Sequence, residues 1–301
     1  AGGGARFRVA QAEHHRQGER KPIVGDQRRR RRHRARTLHH GQRCGVERFV
    51  ARTGGDARAD DASHPVQFES DDDLRGLAAP VGGIFLVLVE MRDQFLLPRR
   101  ADALAAFAGA LIDRDGGRRY VFKGQKILVK DLYDLALIAS SNEAIVALVR
   151  STGLSEQDFV AKMNEYAKAI GMINTNFADP TGLNSDNKST AEDLAKLIIV
   201  ASTKSEIADV TTKSEAEIVL KTSSGEQKVV VPATDRLLGS FVNIVAGKTG
   251  YVEEAGYCMT AVIKNENDNR LAVVTLGAKT SPDRFHDVKS LAWWAFKQFR
   301  W

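Results

Sequence analysis

Residue usage in this chain changes abruptly near residue 118, and the change limits which part of it can form a packed core. The first 118 residues contain 21 of the 27 arginines, six of the seven histidines and only one of the 17 lysines. Residues 119–301 reverse this preference, with 16 lysines and 6 arginines. They carry 22 basic and 22 acidic side chains, so the net charge of +6 arises entirely in the first segment. We therefore predict two units, 1–118 and 119–301, of which the second is the folded one.

The basic residues of the first segment concentrate between Arg28 and Arg36, within a stretch, 19–40, that has few apolar residues and no hydrophobic period. Such a stretch cannot bury enough surface to offset the entropy lost on ordering. We expect a solvated, largely disordered arm, in preference to the nucleic-acid-binding arm that its charge would also allow. Arginine clusters, histidine pairs and a Gly-Gly-Gly string in no pattern also resemble translation in the wrong reading frame, and that origin stays open.

Nothing in the sequence predicts a membrane span, a cofactor or a metal site. The apolar run 83–89 is too short to cross a bilayer and is followed by Glu90. No secretory signal is visible. The two cysteines, Cys44 and Cys258, have neither a ligand cluster nor a disulfide framework around them. We expect Cys258 to be a small core residue.

The hydrophobic period predicts helices in the first part of 119–301. Apolar residues recur at helical spacing after Asp131, Glu143, Ser155 and Thr190. The last two of these are followed three residues later by aspartate, which is typical of a helix start. An alanine-rich stretch in the first segment, 101–112, predicts one further short helix.

The period then changes to two, which predicts strands. The predicted strands are 215–221, 228–231, 244–252, 256–264 and 270–277, and an amphipathic helix from about Asp283 ends the chain. The loops between the last strands are short, so these strands should be antiparallel neighbours. The sequence therefore predicts an α+β fold, in which helices flank an antiparallel sheet.

Two short motifs carry the candidate chemistry. Ser140-Ser141-Asn142 separates the first two predicted helices, and Lys248-Thr249-Gly250 lies in a predicted strand about a hundred residues later. The glycines Gly247 and Gly250 remove side chains where a ligand backbone would need close approach. Taken alone, the first motif also fits an ordinary helix N-cap cluster, and the second fits a tight bend with an exposed lysine.

Read with their surroundings, the motifs resemble the D-alanyl-D-alanine carboxypeptidases, the low-molecular-weight penicillin-binding proteins of peptidase family S11. The similar strings occur in the family's order and rough spacing at 135–144, 175–183, 189–195 and 247–258. The resemblance covers about residues 120–296 and implies the serine β-lactamase/transpeptidase-like fold, here incomplete. It implies serine acyl transfer on peptidoglycan pentapeptides that end in D-Ala-D-Ala, with β-lactams as mimics. It further implies an extracytoplasmic location, in the periplasm or at the cell surface.

The resemblance also assigns roles to individual residues. As catalytic candidates, Ser140 would relay protons, Asn142 would hydrogen-bond the substrate backbone, and Lys248 would supply positive charge.

The remaining motif residues are the implied substrate-binding candidates. Thr249 would bind the terminal carboxylate, and Gly250 would allow the substrate backbone to approach. The backbone N–H of Tyr251 would form one half of the oxyanion hole. The strand itself would pair with the extended substrate by β-augmentation.

The family's nucleophile motif, Ser-x-x-Lys, should precede Ser140, and none is found there. Only Ser63 and Ser70 lie upstream, and neither has lysine three residues later. The string 185–188 has the right spacing, but it follows Ser-x-Asn and lies in a predicted polar loop, so we interpret it as chance. We therefore expect little or no acylation. The alternatives are a non-catalytic peptidoglycan- or β-lactam-binding module, nucleic-acid binding through 28–36, and another serine hydrolase of this fold, such as an esterase or β-lactamase.

Overall fold

The computed structural model describes residues 9–10, 47–53, 77–78, 104–106, 120–122, 124–298 and 301. The predictions for the arginine-rich arm at 28–36, for Ser63 and Ser70, and for the apolar run at 83–89 lie outside the described residues.

The described strands form three sheets, in which all pairs are antiparallel. The largest has the order β1 (Val9–Ala10), β2 (Glu47–Thr53), β11 (Arg270–Ala278), β10 (Gly256–Lys264) and β9 (Asn243–Val252). The second has the order β4 (Leu104–Ala106), β5 (Lys126–Leu128), β7 (Glu215–Thr222) and β8 (Gly225–Pro232). The third pairs β3 (Leu77–Ala78) with β6 (Lys188–Ser189).

Six helices lie among the described residues: α1 (Val129–Ile138), α2 (Asn142–Ser151), α3 (Glu156–Ala169), α4 (Ala191–Ser202), α5 (Ser205–Thr211) and α6 (Ser281–Gln298). The predicted helix starts at Ser155 and Thr190 are confirmed, because each side chain accepts the N–H of the aspartate three residues later. The short helix α5 had no counterpart in the sequence prediction. The prediction of a helix at 101–112 is wrong for its described residues, Leu104–Ala106, because pairing with β5 satisfies their backbone as a strand.

Helices cover both faces of the five-stranded sheet. On one face, α4 packs with Cys258 and Val262 of β10 in the larger hydrophobic core. On the other, α6 packs against Met259, Ala261 and Ile263 of the same strand. Burial on both faces explains why the central residues of β10 and β11 are mostly apolar instead of alternating with polar ones. This arrangement confirms the predicted α+β class and the predicted core position of Cys258.

The sheet also includes a strand from the segment that residue usage set apart. Strand β2 pairs with β11 along its whole length, from Thr53 opposite Arg270 to Glu47 opposite Leu276. Phe49 joins the larger core, while Val50 faces the core under α6. No hydrophobic pattern predicted this strand, and the boundary at residue 118 stays a prediction.

At the other end of the sheet, β9 is the edge strand among the described strands, with β10 as its one neighbour. This position matters for the site, because β9 contains the Lys-Thr-Gly motif. Within the described part of the chain, no helix combines the length and apolar character needed to cross a membrane.

Candidate functional site

The turn between α1 and α2 gives the two serines of the first motif different surroundings. Ser140 has a φ of 56°, in the left-handed region that residues other than glycine rarely adopt. The next residue, Ser141, donates its N–H to the carbonyl of Leu135 at 3.1 Å, so the chain leaves α1 in a tight turn. The Ser141 hydroxyl then accepts the N–H of Ala144 at 3.2 Å and caps α2. The N-cap interpretation is therefore right for Ser141, while the hydroxyl of Ser140 is available for other contacts.

The left-handed backbone at Ser140 predicts the relative stability of two variants. Glycine adopts this conformation without steric cost, whereas alanine keeps the strained Cβ, so Ser140→Gly should be more stable than Ser140→Ala by about 1 kcal/mol. Urea denaturation would measure the difference. At Ser290, exposed within α6, the order should reverse, because alanine is the better helix former. Equal stabilities of the two Ser140 variants would contradict the assigned backbone conformation.

Lys248 joins the two motifs, which lie 108 residues apart in the sequence. Its side chain is 1% exposed. Its Nζ donates hydrogen bonds to the Oγ of Ser140 and, at 2.9 Å, to the carbonyl oxygen of Thr249. The structure therefore places the serine–asparagine corner against the Lys-Thr-Gly strand, on one side of the sheet.

Burial determines the charge state of Lys248. Desolvation, assisted by the positive charge of Arg284, lowers the pKa of Lys248 to about 7, although the carboxyl of Asp235 acts in the opposite direction. Near neutral pH, Lys248 is therefore a mixture of ammonium and amine. The site is most positive below this pH.

Thr234 connects the two sides of the site. Its Oγ1 lies 2.7 Å from the Oγ1 of Thr249. Its N–H and hydroxyl both reach the carbonyl of Ile138, at 3.0 and 3.3 Å, at the last residue of α1. One threonine thus fixes the hydroxyl of Thr249 relative to the turn that holds Ser140. We call Ser140, Thr234, Lys248 and Thr249 the motif site.

The rest of β9 forms an exposed edge beside the motif site. Gly250 is half-buried and Tyr251 is 51% exposed. The ring of Tyr251 lies 4.3 Å from that of Tyr257, its partner on β10. An edge strand without a second neighbour can pair with an extended peptide. Among the described strands, β9 has β10 as its one neighbour, and the predicted β-augmentation stays a prediction.

Sequence reasoning missed Arg284, which lies in the first turn of α6 and is 7% exposed. Its guanidinium donates to the carbonyl of Gly250 at 3.1 Å and to the hydroxyl of Ser281 at 3.2 Å. It also lies over the ring of Tyr257, 5.4 Å from the centroid. A cation at a helix N-terminus opposes the helix dipole, and that unfavourable placement is the one sequence signal that could have identified it.

The remaining residues singled out from the sequence form no hydrogen bond to Lys248 within the described part of the chain. Asn142 is the first residue of α2, half-buried, and its side chain forms no hydrogen bond to another described residue. Of the chance Ser-x-x-Lys string, Ser185 lies in an exposed turn and Lys188 in β6, so no helix aligns their side chains. A cavity of about 250 Å³ lies elsewhere, between α2 and the loop that contains Asp179 and Thr181. In the described part of the chain, no cluster of three or more histidine, cysteine, aspartate or glutamate side chains could hold a metal ion.

The sequence matches a known family over more than half of the chain. The model of the D-alanyl-D-alanine carboxypeptidases, peptidase family S11, matches residues 104–280. The D-alanyl-D-alanine carboxypeptidase DacF of Bacillus subtilis is 34% identical over 185 residues, which are 61% of this chain and 46% of the relative. A D-alanyl-D-alanine endopeptidase of Haemophilus influenzae is 34% identical over 170 residues, which are 56% of this chain and 57% of the relative. The chain thus spans about half the length of the curated relatives it matches.

The fold also resembles solved structures of DD-transpeptidases and D-alanyl-D-alanine carboxypeptidases. The Streptomyces K15 DD-transpeptidase superposes with a TM-score of 0.67 at 23% sequence identity, over 74% of this chain and 88% of that one. This structural similarity confirms the predicted transpeptidase-like fold. It concerns the fold alone and not the reaction.

Proposed function

Since this chain belongs to the D-alanyl-D-alanine carboxypeptidase family, we propose that its motif site binds the D-Ala-D-Ala ends of peptidoglycan stem peptides and the β-lactams that resemble them. The main support is the contact of Lys248 with Ser140, because it assembles both family motifs into one site. The substrate is part of the cell wall, so we propose that the protein acts outside the cytoplasm.

The proposed binding mode follows from the charges and hydrogen-bonding groups of the motif site. A D-Ala-D-Ala end carries a carboxylate, and two buried basic groups lie near β9: Arg284, and Lys248, which is partly protonated near neutral pH. The hydroxyl of Thr249 would donate to the carboxylate, with Thr234 at 2.7 Å to orient it. The peptide backbone would extend along the edge of β9 that no other described strand occupies, where the N–H of Tyr251 would meet the carbonyl of the D-Ala-D-Ala bond. Asn142 would hydrogen-bond the peptide from the opposite side.

We propose further that binding occurs in this chain without turnover. The family reaction needs a serine that attacks the D-Ala-D-Ala carbonyl, releases terminal D-alanine and leaves an acyl-enzyme for water to hydrolyse. These 301 residues contain no Ser-x-x-Lys before Ser140. Loss of a nucleophile removes most of the rate enhancement but leaves binding and oxyanion interactions in place. The protein would then be a binding module of the family, as in the non-catalytic alternative.

A fluorescent penicillin distinguishes binding from acylation. We expect a saturable rise in fluorescence anisotropy with the full chain, reversed by excess of a peptide that ends in D-Ala-D-Ala, and no fluorescent band after denaturing electrophoresis. The Thr249→Val variant keeps the shape of the side chain and loses one hydrogen bond, so its affinity should fall by about tenfold.

The two parts of the proposal fail separately in this experiment. A labelled band would contradict the proposal that the chain does not acylate, and peptide mapping would identify the serine. Absence of saturable, competable binding would overturn the proposed function itself.

A further inference from the structure

Asp235 is buried beside the Lys-Thr-Gly strand, and one of its oxygens has no hydrogen bond. The residue is 9% exposed. Its Oδ1 accepts the N–H of Leu237 at 2.8 Å, whereas its buried Oδ2 has no hydrogen-bonding partner among the described residues. Burial of a half-satisfied carboxylate is unfavourable unless opposite charge lies nearby. Asp235 therefore suggests a role that depends on its charge.

The unpaired oxygen lies against β9, next to the lysine of the motif site. A Cβ atom placed on Gly247 would be only 2.9 Å from Oδ2 of Asp235. Because glycine has no Cβ atom, the carboxyl of Asp235 can occupy the space beside the strand at this position. The following residue of the strand is Lys248, so the carboxyl lies against β9 one residue away from the lysine of the motif site.

The groups around Asp235 and Lys248 come from β9, α6, β10, the loop before β9 and the α1–α2 turn. Lys248 on β9 and Arg284 on α6 both attract the carboxylate of Asp235. Arg284 in turn faces Arg236 in the preceding loop and Cys258 and Tyr257 on β10, and Ser140 contacts Lys248 from the α1–α2 turn. Among these neighbours, Asp235 is the group that favours the charged form of Lys248, while burial and Arg284 oppose it.

We propose that Asp235 is a positioning residue of the motif site, whose carboxylate behind Gly247 maintains the positive charge of Lys248 against the repulsion of Arg284. The inference rests on the proposed function, because that charge matters for an anionic ligand. It extends the site to a residue outside both motifs, in the loop that precedes β9.

The arrangement defines a pH window. Burial raises the pKa of Asp235 to about 6, and the pKa of Lys248 is about 7. Below pH 6 the carboxyl is neutral, so it no longer affects Lys248, which is already charged there. Above pH 7, Lys248 loses its proton. The influence of Asp235 on binding should therefore be largest between pH 6 and about 7.5.

The first test needs no ligand. Asp235→Asn keeps the shape and an acceptor for the N–H of Leu237 but removes the charge, so the pKa of Lys248 should fall below its wild-type value. NMR titration of side-chain-labelled lysine in the full chain would measure it. Gly247→Ala would place a Cβ atom 2.9 Å from Oδ2 and should displace the carboxyl from the strand. The pKa of Lys248 should therefore fall in this variant as well. The matched control is Asp268→Asn, which removes an exposed carboxylate that pairs with Lys264 and Arg270 and should leave Lys248 unchanged. An unchanged pKa of Lys248 in Asp235→Asn would overturn the proposal.

The second test measures binding of the fluorescent penicillin against pH. At pH 5 the wild type and Asp235→Asn should bind equally. At pH 7 the variant should bind about fivefold more weakly if the pKa of Lys248 falls by one unit, because the charged fraction falls by that factor. A loss of affinity that is the same at every pH would show a merely structural role and overturn the proposal. If the wild type binds no penicillin, the proposed function fails, while the ligand-free titration still decides the role of Asp235.

Discussion

Replacement of Lys248 by methionine is expected to remove most of the affinity for β-lactams at pH 6. At that pH the wild-type lysine, with a pKa of about 7, is mostly charged. A hydrogen bond to a charged group contributes about 1.5–3 kcal/mol, which corresponds to a ten- to hundredfold loss of affinity. Fluorescence anisotropy with the penicillin probe would measure the loss. At pH 9, where the lysine is neutral, the two proteins should differ much less.

The same replacement should stabilise the fold, by an amount that depends on pH. The pKa of Lys248 is about 7 in the folded protein and about 10.4 in an unfolded chain. The unfolded state therefore binds the proton more tightly, and the free energy of unfolding of the wild type should rise as the pH increases from about 7 to 10.4. Below pH 7 the whole cost of burying the charge is present, so methionine should be more stable there, and the wild type should gain on the order of 4–5 kcal/mol relative to methionine as the pH rises from about 7 to 10.4. The difference should narrow towards pH 10.

Urea denaturation at pH 6, 8 and 10 would test this dependence. Lys228→Met is the matched control, because its ammonium is exposed on β8, where it pairs with Glu217. This control should change neither the affinity for the probe nor the pH dependence of stability. Unchanged affinity of Lys248→Met at pH 6 would remove Lys248 from the binding site.

The local patterns of the sequence predicted most of the elements that build the fold. Ser155 and Thr190 cap helices where the hydrophobic period begins, since capping is decided within a few residues. Strands β9 to β11 follow the predicted bounds closely, and their short connections make them antiparallel neighbours. The two motifs, singled out as strings, do meet through Lys248 and Ser140. The roles assigned to the motif residues stay predictions.

What the sequence did not show depends on contacts between distant parts of the chain. Thr234 and Asp235 are polar residues of a loop with no local signal, and their roles come from packing: Thr234 contacts α1 and β9, and Asp235 lies against β9 at Gly247. Arg284 lies beside the motif site because α6 packs on the sheet and brings the guanidinium to the carbonyl of Gly250, and no local period encodes that contact. Strand β2 is a strand through its pairing with β11 at the far end of the chain. Tertiary packing decides each of these, so propensity and spacing alone could not predict them.

Replacement of Asn187 by alanine is expected to cause the largest loss of stability, about 3–5 kcal/mol. The side chain is fully buried and forms four hydrogen bonds. Its Oδ1 accepts the N–H groups of Ala178 and Asp179, at 2.8 and 3.2 Å. Its Nδ2 donates to Oδ1 of Asp179 at 2.7 Å and to the carbonyl of Asn184 at 2.9 Å. Alanine would leave several buried groups unpaired, each at a cost of about 1–3 kcal/mol.

Chemical denaturation monitored by circular dichroism would measure the change, with Asn176→Ala as the matched control. Asn176 is exposed, and its side chain makes one long contact, 3.5 Å to the carbonyl of Asp186, so its loss should be small. A loss below 1 kcal/mol for Asn187→Ala would contradict the hydrogen-bond network. The network supports Asp179 beside the cavity near α2, away from the contact of Lys248 with Ser140. The folded fraction of Asn187→Ala should therefore bind the penicillin probe with unchanged affinity. This result would show that Asn187 stabilises the fold without contributing to the motif site.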